Sequence, residues 1–317
     1  MLRSMYSGIS GLKNFQTKLD VIGNNIANVN TFGFKKGRVT FKDMISQSVS
    51  GASASTVTKG GTNPMQVGLG ASISAIDTMH TQGNLQSTGR LLDLAISGDG
   101  YFVVGNGQAG TGLSNELSYT RAGNFYLDEE GFLVNGEGLF VVGVPGVINN
   151  TGNSVVDPIS IDTNGVLVNE SKIKIPTTAK DMSIGEDGTV TYIAGEYAAA
   201  NGEPLQDQAQ GNNNTPIKPG DLVIAGKLVL TKFANTAGLQ KSGSNLFQPT
   251  TNSGDPVYAF AGEAGAGAIT ASTLEMSNVD LSEEFTEMIV AQRAFQANTR
   301  IITTSDEILQ ELVNLKR

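Results

Sequence analysis

The chain has 317 residues, of which 39 are Gly and one is His; Cys and Trp are absent, 39% is hydrophobic and the net charge is −9. Zero Cys excludes disulfides, thiolate metal sites and Cys nucleophiles, and one His makes a transition-metal site untenable. The negative balance argues against nucleic acid as the main partner, and abundant glycine with few aromatics suits thin, turn-rich β-structure rather than a thick enzyme core.

An amphipathic helix is expected at the N-terminus. Leu2, Met5, Ile9, Leu12, Phe15, Leu19, Ile22, Ile26 and Val29 recur at spacings of three and four, and Asn24, Asn25, Asn28 and Asn30 before Gly33 should end it. Residues 34–45 read as a short strand–turn–helix, and 46–61, rich in Ser, Gly, Ala and Thr, as a flexible or extended linker. Strands are expected at 71–79, 92–96, 101–104, 118–121, 124–127, 132–135, 222–232 and 257–260. The turns between them include Gly98-Asp-Gly100, Asp128-Glu-Glu-Gly131 and Gly185-Glu-Asp-Gly188. Residues 143–169 and 198–220 read as loop insertions, the second almost wholly polar, and Gly262–Gly267 as a small-residue hinge.

The last helix is expected from Asp280, an N-cap residue followed by acids, to Lys316 and Arg317, a placement that complements the helix dipole. Ser282–Arg317 holds neither Gly nor Pro, and Leu281, Phe285, Met288, Phe295, Ile302, Leu309 and Val313 mark a heptad interrupted by Gln292, Thr299 and Asp306. Residues 1–45 carry seven bases against two acids, and 275–317 eight acids against four bases, which favours the two ends lying side by side. The organisation is therefore α+β. An N-terminal helix (1–33), a connecting region (34–70), a glycine-rich, mostly antiparallel β domain (71–262), a hinge (263–279) and a C-terminal helix (280–317) follow in order. The terminal helices, coiled-coil-like, seek partners, and the residues just named on each are the candidate subunit interface; an intramolecular helical hairpin is the plainer alternative.

No catalytic, cofactor or metal constellation stands out. Gly105-Asn-Gly-Gln-Ala-Gly110 fits G-x-G-x-x-G but leads into a strand rather than the helix that would bind pyrophosphate. His80 has no nucleophile elbow to serve. Asn149 and Asn213 begin glycosylation sequons that short patterns produce by chance, and the basic run Lys35–Lys42 reads as a solvated face. No apolar run reaches the roughly 18 residues of a membrane span, and no cleavable signal peptide is seen.

Leu19-Asp-Val-Ile-Gly-Asn-Asn-Ile-Ala-Asn-Val-Asn-Thr31 with Gly33-Phe-Lys35 resembles the N-terminal signature of the bacterial flagellar axial proteins, the rod, hook and hook-associated components. Gly89–Ile96, Gly98–Phe102, Arg121–Asp128 and Leu274–Leu281 continue the resemblance over most of the chain. Its signature residues here are Asn24, Asn25, Ala27, Asn28, Thr31, Gly33, Phe34 and Lys35. The resemblance implies a structural, non-enzymatic subunit whose terminal helices line an inner tube and whose β domain forms the outer wall. It also implies a helical homopolymer outside the cell, with no nucleic acid and no membrane insertion. Export proceeds through the flagellar apparatus without a cleaved signal peptide, and the partners are rod and hook–filament junction proteins and a hook cap during assembly. Ser7-Gly-Ile-Ser-Gly-Leu12 and Phe41-Lys-Asp-Met44 look hook-like, so the expected role is the hook, the flexible joint between motor and filament. The small space for an outer domain keeps a distal rod subunit as the alternative, with a soluble binding module as a distant third.

Overall fold

The structure is a computed structural model that describes residues 2–55, 59–108, 112–148, 154–156, 171–195 and 220–315. Most of the insertion expected at 143–169, all of 198–220 except Gly220, both sequons, the end of the G-x-G-x-x-G run and Lys316–Arg317 lie outside the described residues. The chain divides into two compact units. One comprises residues 1–29, 35–79 and 279–317, the other 30–34 and 80–278.

The first unit holds helices α1 (Leu2–Ala27) and α2 (Leu281–Asn314) and strands β1 (Gly37–Asp43), β2 (Ser46–Ser50), β3 (Met65–Gly68) and β4 (Ala71–Thr78). α1 closes where the asparagines begin: the Asn28 amide donates to the Asn24 carbonyl at 3.2 Å, and Asn28 Nδ2 reaches the same oxygen at 2.9 Å. Asp280 caps α2, its Oδ1 accepting from the Ser282 amide at 2.8 Å, an arrangement worth about 1 kcal/mol. The helices run antiparallel: Gly8 faces Ile302, Gly11 faces Asn298, and Lys18 bridges Glu287 at 3.1 Å.

The connecting region departs from expectation. No helix follows β1; instead β1 pairs antiparallel with β4, and β2 with β3. Alternating Val39 and Phe41 suit a strand, and the Phe15 and Phe41 rings meet 5.9 Å apart, so β1 has a face of α1 to cover. The Ser-rich stretch read as linker thus supplies a ribbon, exposed along both strands. The strand expected to open the β domain, β4, closes this first sheet.

In the second unit one antiparallel sheet dominates. Its long path runs Met182–Ile184, Thr189–Ile193, Leu222–Lys232, Phe140–Ile148, β7 (Tyr101–Gln108), β8 (Gly112–Thr120), Leu246–Gln248 and Gln240–Gly243, with β5 (Leu85–Ser87) and β6 (Leu94–Ser97) preceding it in the chain. Both faces are covered. Along β7, Phe102 and Val104 enter a core with Leu94, Phe125 and Ile269, while Tyr101 and Val103 enter another with Tyr119, Phe233 and Phe247. That alternation is the period of two that strand geometry dictates. The hinge expected at 263–279 also proves structured: Ala268–Ala271 pairs with β6 and Thr273–Glu275 with β5. Gly262 and Gly265, both at positive φ, make the tight connection into it.

Gly123 lies where any Cβ would collide with the Leu94 carbonyl oxygen. Gly123→Ala should therefore lower the stability of this unit by about 1–3 kcal/mol in denaturant unfolding. Gly51→Ala, where a Cβ meets open space, should be neutral by the same measurement.

Candidate functional site

The interface residues expected on α1 and α2 do not share one environment. Ile22 is buried within the chain, and Met5, Leu12, Leu19, Ile26, Val29, Met288, Ile302 and Leu309 are half-buried. Leu281, Phe285, Phe295 and Val313 remain exposed, as does Ile9, and the burial of the Leu2 side chain is not described. The structure adds exposed apolar residues outside the heptad: Ile289, Val290, Ile301, Ile308 and Leu312, between 44% and 59% accessible. A strict heptad reading misses them; a broader helical stripe would have included them. The larger surprise lies inside the pair, where Glu284, Ala291 and Ser305 are buried and Asn25 and Asn14 oppose them in burial from α1. Hydrophobic patterning gives such residues no weight.

Asn25 accounts for part of the signature. Its Nδ2 donates to the Gly37 carbonyl at 2.9 Å and to Glu284 Oε2 at 3.1 Å, and its Oδ1 accepts from the Gly37 amide at 2.9 Å. One carboxamide thus ties the end of α1 to the start of β1 and to α2. Lys36 Nζ reaches Glu283 Oε2 at 2.8 Å and Glu284 Oε1 at 3.9 Å. The cleft of about 190 Å³ among these groups is lined by charges already paired within the chain. Burial pushes the Glu284 carboxyl above its ordinary 4.5, while the Asn25 hydrogen bond and Lys36 pull it back; the hydrogen bond to Glu283 raises Lys36.

A carboxyl raised on folding contributes stability below its unfolded value and loses it as pH rises through the folded one. Wild type should therefore gain stability relative to Glu284→Gln as pH falls from 7 toward 4.5. Paired thermal melts across that range would check the sign, since every other titrating group is common to both proteins.

Other signature residues belong to the second unit. Gly33 has φ +69°, and a Cβ there would lie 2.6 Å from the Ala122 amide nitrogen. Its own amide donates to the Glu275 carbonyl at 2.8 Å. The Glu275 side chain is buried against Arg121, with Nη1 to Oε2 at 3.1 Å, and Glu275 Oε1 accepts from the Gly83 amide at 2.8 Å. Arg121 also donates to the carbonyls of Gly98 at 2.7 Å and Ile96 at 3.3 Å. Segments 31–34, 96–98, 121–123 and 274–276 thus meet at one junction, which gives the five separate motifs a common structural role. Phe34 is buried there beneath Lys241, whose Nζ lies 4.7 Å from the ring centroid. In the first unit Lys35 is buried, Asn24 and Ala27 are exposed, and Asn28 is half-buried; Thr31, in the second, is half-buried as well.

His80 serves the core of the second unit: its Nδ1 lies 2.7 Å from the Tyr101 hydroxyl, and its ring stands edge-on to Phe247 at 5.4 Å. Burial raises the Tyr101 hydroxyl well above the usual phenol range. Among the described residues no group of three or more His, Asp or Glu is placed to hold a metal, and no helix is long and apolar enough to cross a membrane.

Comparison with known proteins finds three family models along the chain. Residues 5–35 match one described as flagella basal body rod protein, residues 95–192 one described as the flagellar hook protein FlgE/F/G D1 domain, and residues 270–315 one described as the flagellar basal body rod FlgEFG protein C-terminal. Similar relatives include the flagellar basal-body rod protein FlgG of Bacillus subtilis, 52% identical over 318 positions that span both chains completely. The flagellar hook protein FlgE of Borreliella burgdorferi is 35% identical over 448 positions, again covering both chains, and the FlgG of Agrobacterium fabrum is 34% identical over 97% of each.

Proposed function

This chain belongs to the family of flagellar rod and hook proteins, and from that premise we propose that it is a subunit of the distal rod of the basal body. The observation that carries the rod over the hook is length together with identity. The rod relative aligns end to end at 52%, whereas the hook relative needs 448 positions to be aligned with these 317 residues. The hook preference drawn from Ser7–Leu12 and Phe41–Met44 gives way, because a few short motifs weigh less than the higher identity over a chain of the same length.

Assembly is the whole of the mechanism. Identical subunits making head-to-tail contacts that do not close into a ring build a helical tube. Phe285, Ile289, Ile301, Ile308 and Leu312 are the apolar groups that neighbouring subunits would cover, and water released from them drives the association. The subunit leaves the cell through the flagellar export apparatus, and it meets other rod proteins at one end and the hook at the other. Within the polymer the terminal helices face the channel and the β-rich unit faces outward.

Antibody labelling of isolated hook–basal bodies tests the placement. Label confined to the straight segment below the hook is the expected result, and label along the curved hook would restore the hook assignment.

A further inference from the structure

Four positions of α2 lie seven residues apart: Glu284, Ala291 and Ser305 are buried and Asn298 is half-buried. Beside them runs a second row at the same spacing, Met288, Phe295, Ile302 and Leu309. Apart from Ile302, the apolar row does little to specify a register. Sliding α2 past α1 by seven residues mostly exchanges one large apolar side chain for another. The first row does discriminate, because its members meet unlike partners. Asn25 Nδ2 donates to Glu284 Oε2 at 3.1 Å. Asn298 stands over Gly11, where a Cβ would come within 2.8 Å of its Nδ2, and one turn on Ile302 stands over Gly8, where a Cβ would come within 3.2 Å of its Cγ1.

We infer that this small-and-polar row, together with Ile302 beside it, sets the register of the terminal helix pair, with Asn25–Glu284 as a pin and Gly8 and Gly11 as slots for Ile302 and Asn298. A slide of one heptad, about 10.5 Å, takes Glu284 away from Asn25. It also moves Asn298 from Gly11 onto Ser4 or Lys18, each of which carries a side chain where glycine has none. The first change takes a buried carboxyl from its Asn25 donor and the second presses a side chain onto the Asn298 carboxamide, so the correct register wins by specificity rather than by the amount of apolar surface it covers. The same register fixes how the exposed apolar side chains of α1 line up with those of α2, and hence the surface that a neighbouring copy meets. The inference concerns the single chain and holds for a rod or a hook subunit alike.

The absence of Cys makes a direct test possible in the full-length monomer. Gly8→Cys with Ile302→Cys reports the native register, and Gly8→Cys with Phe295→Cys or Leu309→Cys reports a slide of one heptad. A disulfide needs Cα atoms about 4.4–6.8 Å apart, closer than a slid pair in the native register allows. With the polar row intact, the native pair should cross-link and the shifted pairs should lag by roughly tenfold or more. Replacing Asn25, Glu284 and Asn298 together by Leu should raise the shifted products by roughly tenfold while helical circular dichroism persists. If that variant loses helix, Asn25→Ala with Glu284→Ala is read in its place. Shifted cross-links in the unmodified row, or an unchanged pattern in a helical variant, would overturn the inference.

Discussion

Arg121→Ala should destabilise the β-rich unit by about 3–5 kcal/mol, the cost of breaking a buried ion pair from one side. Glu275 is 1% exposed, and its carboxylate would keep the Gly83 amide while losing the Arg121 guanidinium. The carbonyls of Ile96 and Gly98 would lose their donor in the same step. Since Gly33 hangs on the Glu275 carbonyl, the loss should spread to the segment that follows α1 in sequence. Denaturant unfolding followed by tyrosine fluorescence should show the midpoint fall. Arg121→Met combined with Glu275→Leu should recover part of it, because an apolar pair leaves no stranded charge. Equal midpoints for wild type and Arg121→Ala would mean that the junction does not depend on this pair.

Phe285→Asp and Ile289→Asp should each prevent polymerisation while leaving the monomer folded. Both residues are exposed, at 50% and 59%, so the chain's own packing depends little on either. In an assembled tube each would place an unpaired charge in an apolar contact, costing several kcal/mol. Every 1.4 kcal/mol is a factor of ten in association, so the critical concentration should rise roughly 100-fold or more. Sedimentation reads the polymer, and circular dichroism of the supernatant reads the fold. A variant that polymerises normally would remove this face from the interface.

Much of the architecture is legible in the sequence where punctuation is strong. The strands Leu222–Lys232 and Val257–Phe260 fall at their expected bounds because Gly220, Pro256 and Gly262 frame runs of β-forming residues. Asp280 caps α2 as its residue type dictates. The ribbon of β2 and β3 was illegible because Ser and Gly carry no periodic signal, and its existence depends on pairing across a loop. The Arg121–Glu275 junction was illegible for a different reason: its two halves are separated by 154 residues, and no local pattern couples them. At the helix pair the heptad runs along helices that the structure forms, but it takes in only part of their exposed apolar surface. Asn25, Glu284 and Asn298 make contacts of specificity, and a reading based on apolar spacing passes over them.

On the proposed reading this chain builds a rigid tube by packing paired terminal helices of successive copies. Cryo-electron microscopy of polymer grown from purified full-length protein tests it most directly. The expected result is a straight tube whose inner layer is made of α1 and α2, with Phe285, Ile289, Ile301 and Ile308 buried between subunits. A curved, supercoiled tube would instead place the chain in the hook, and a polymer held together without the terminal helices, or no polymer at all, would contradict the account.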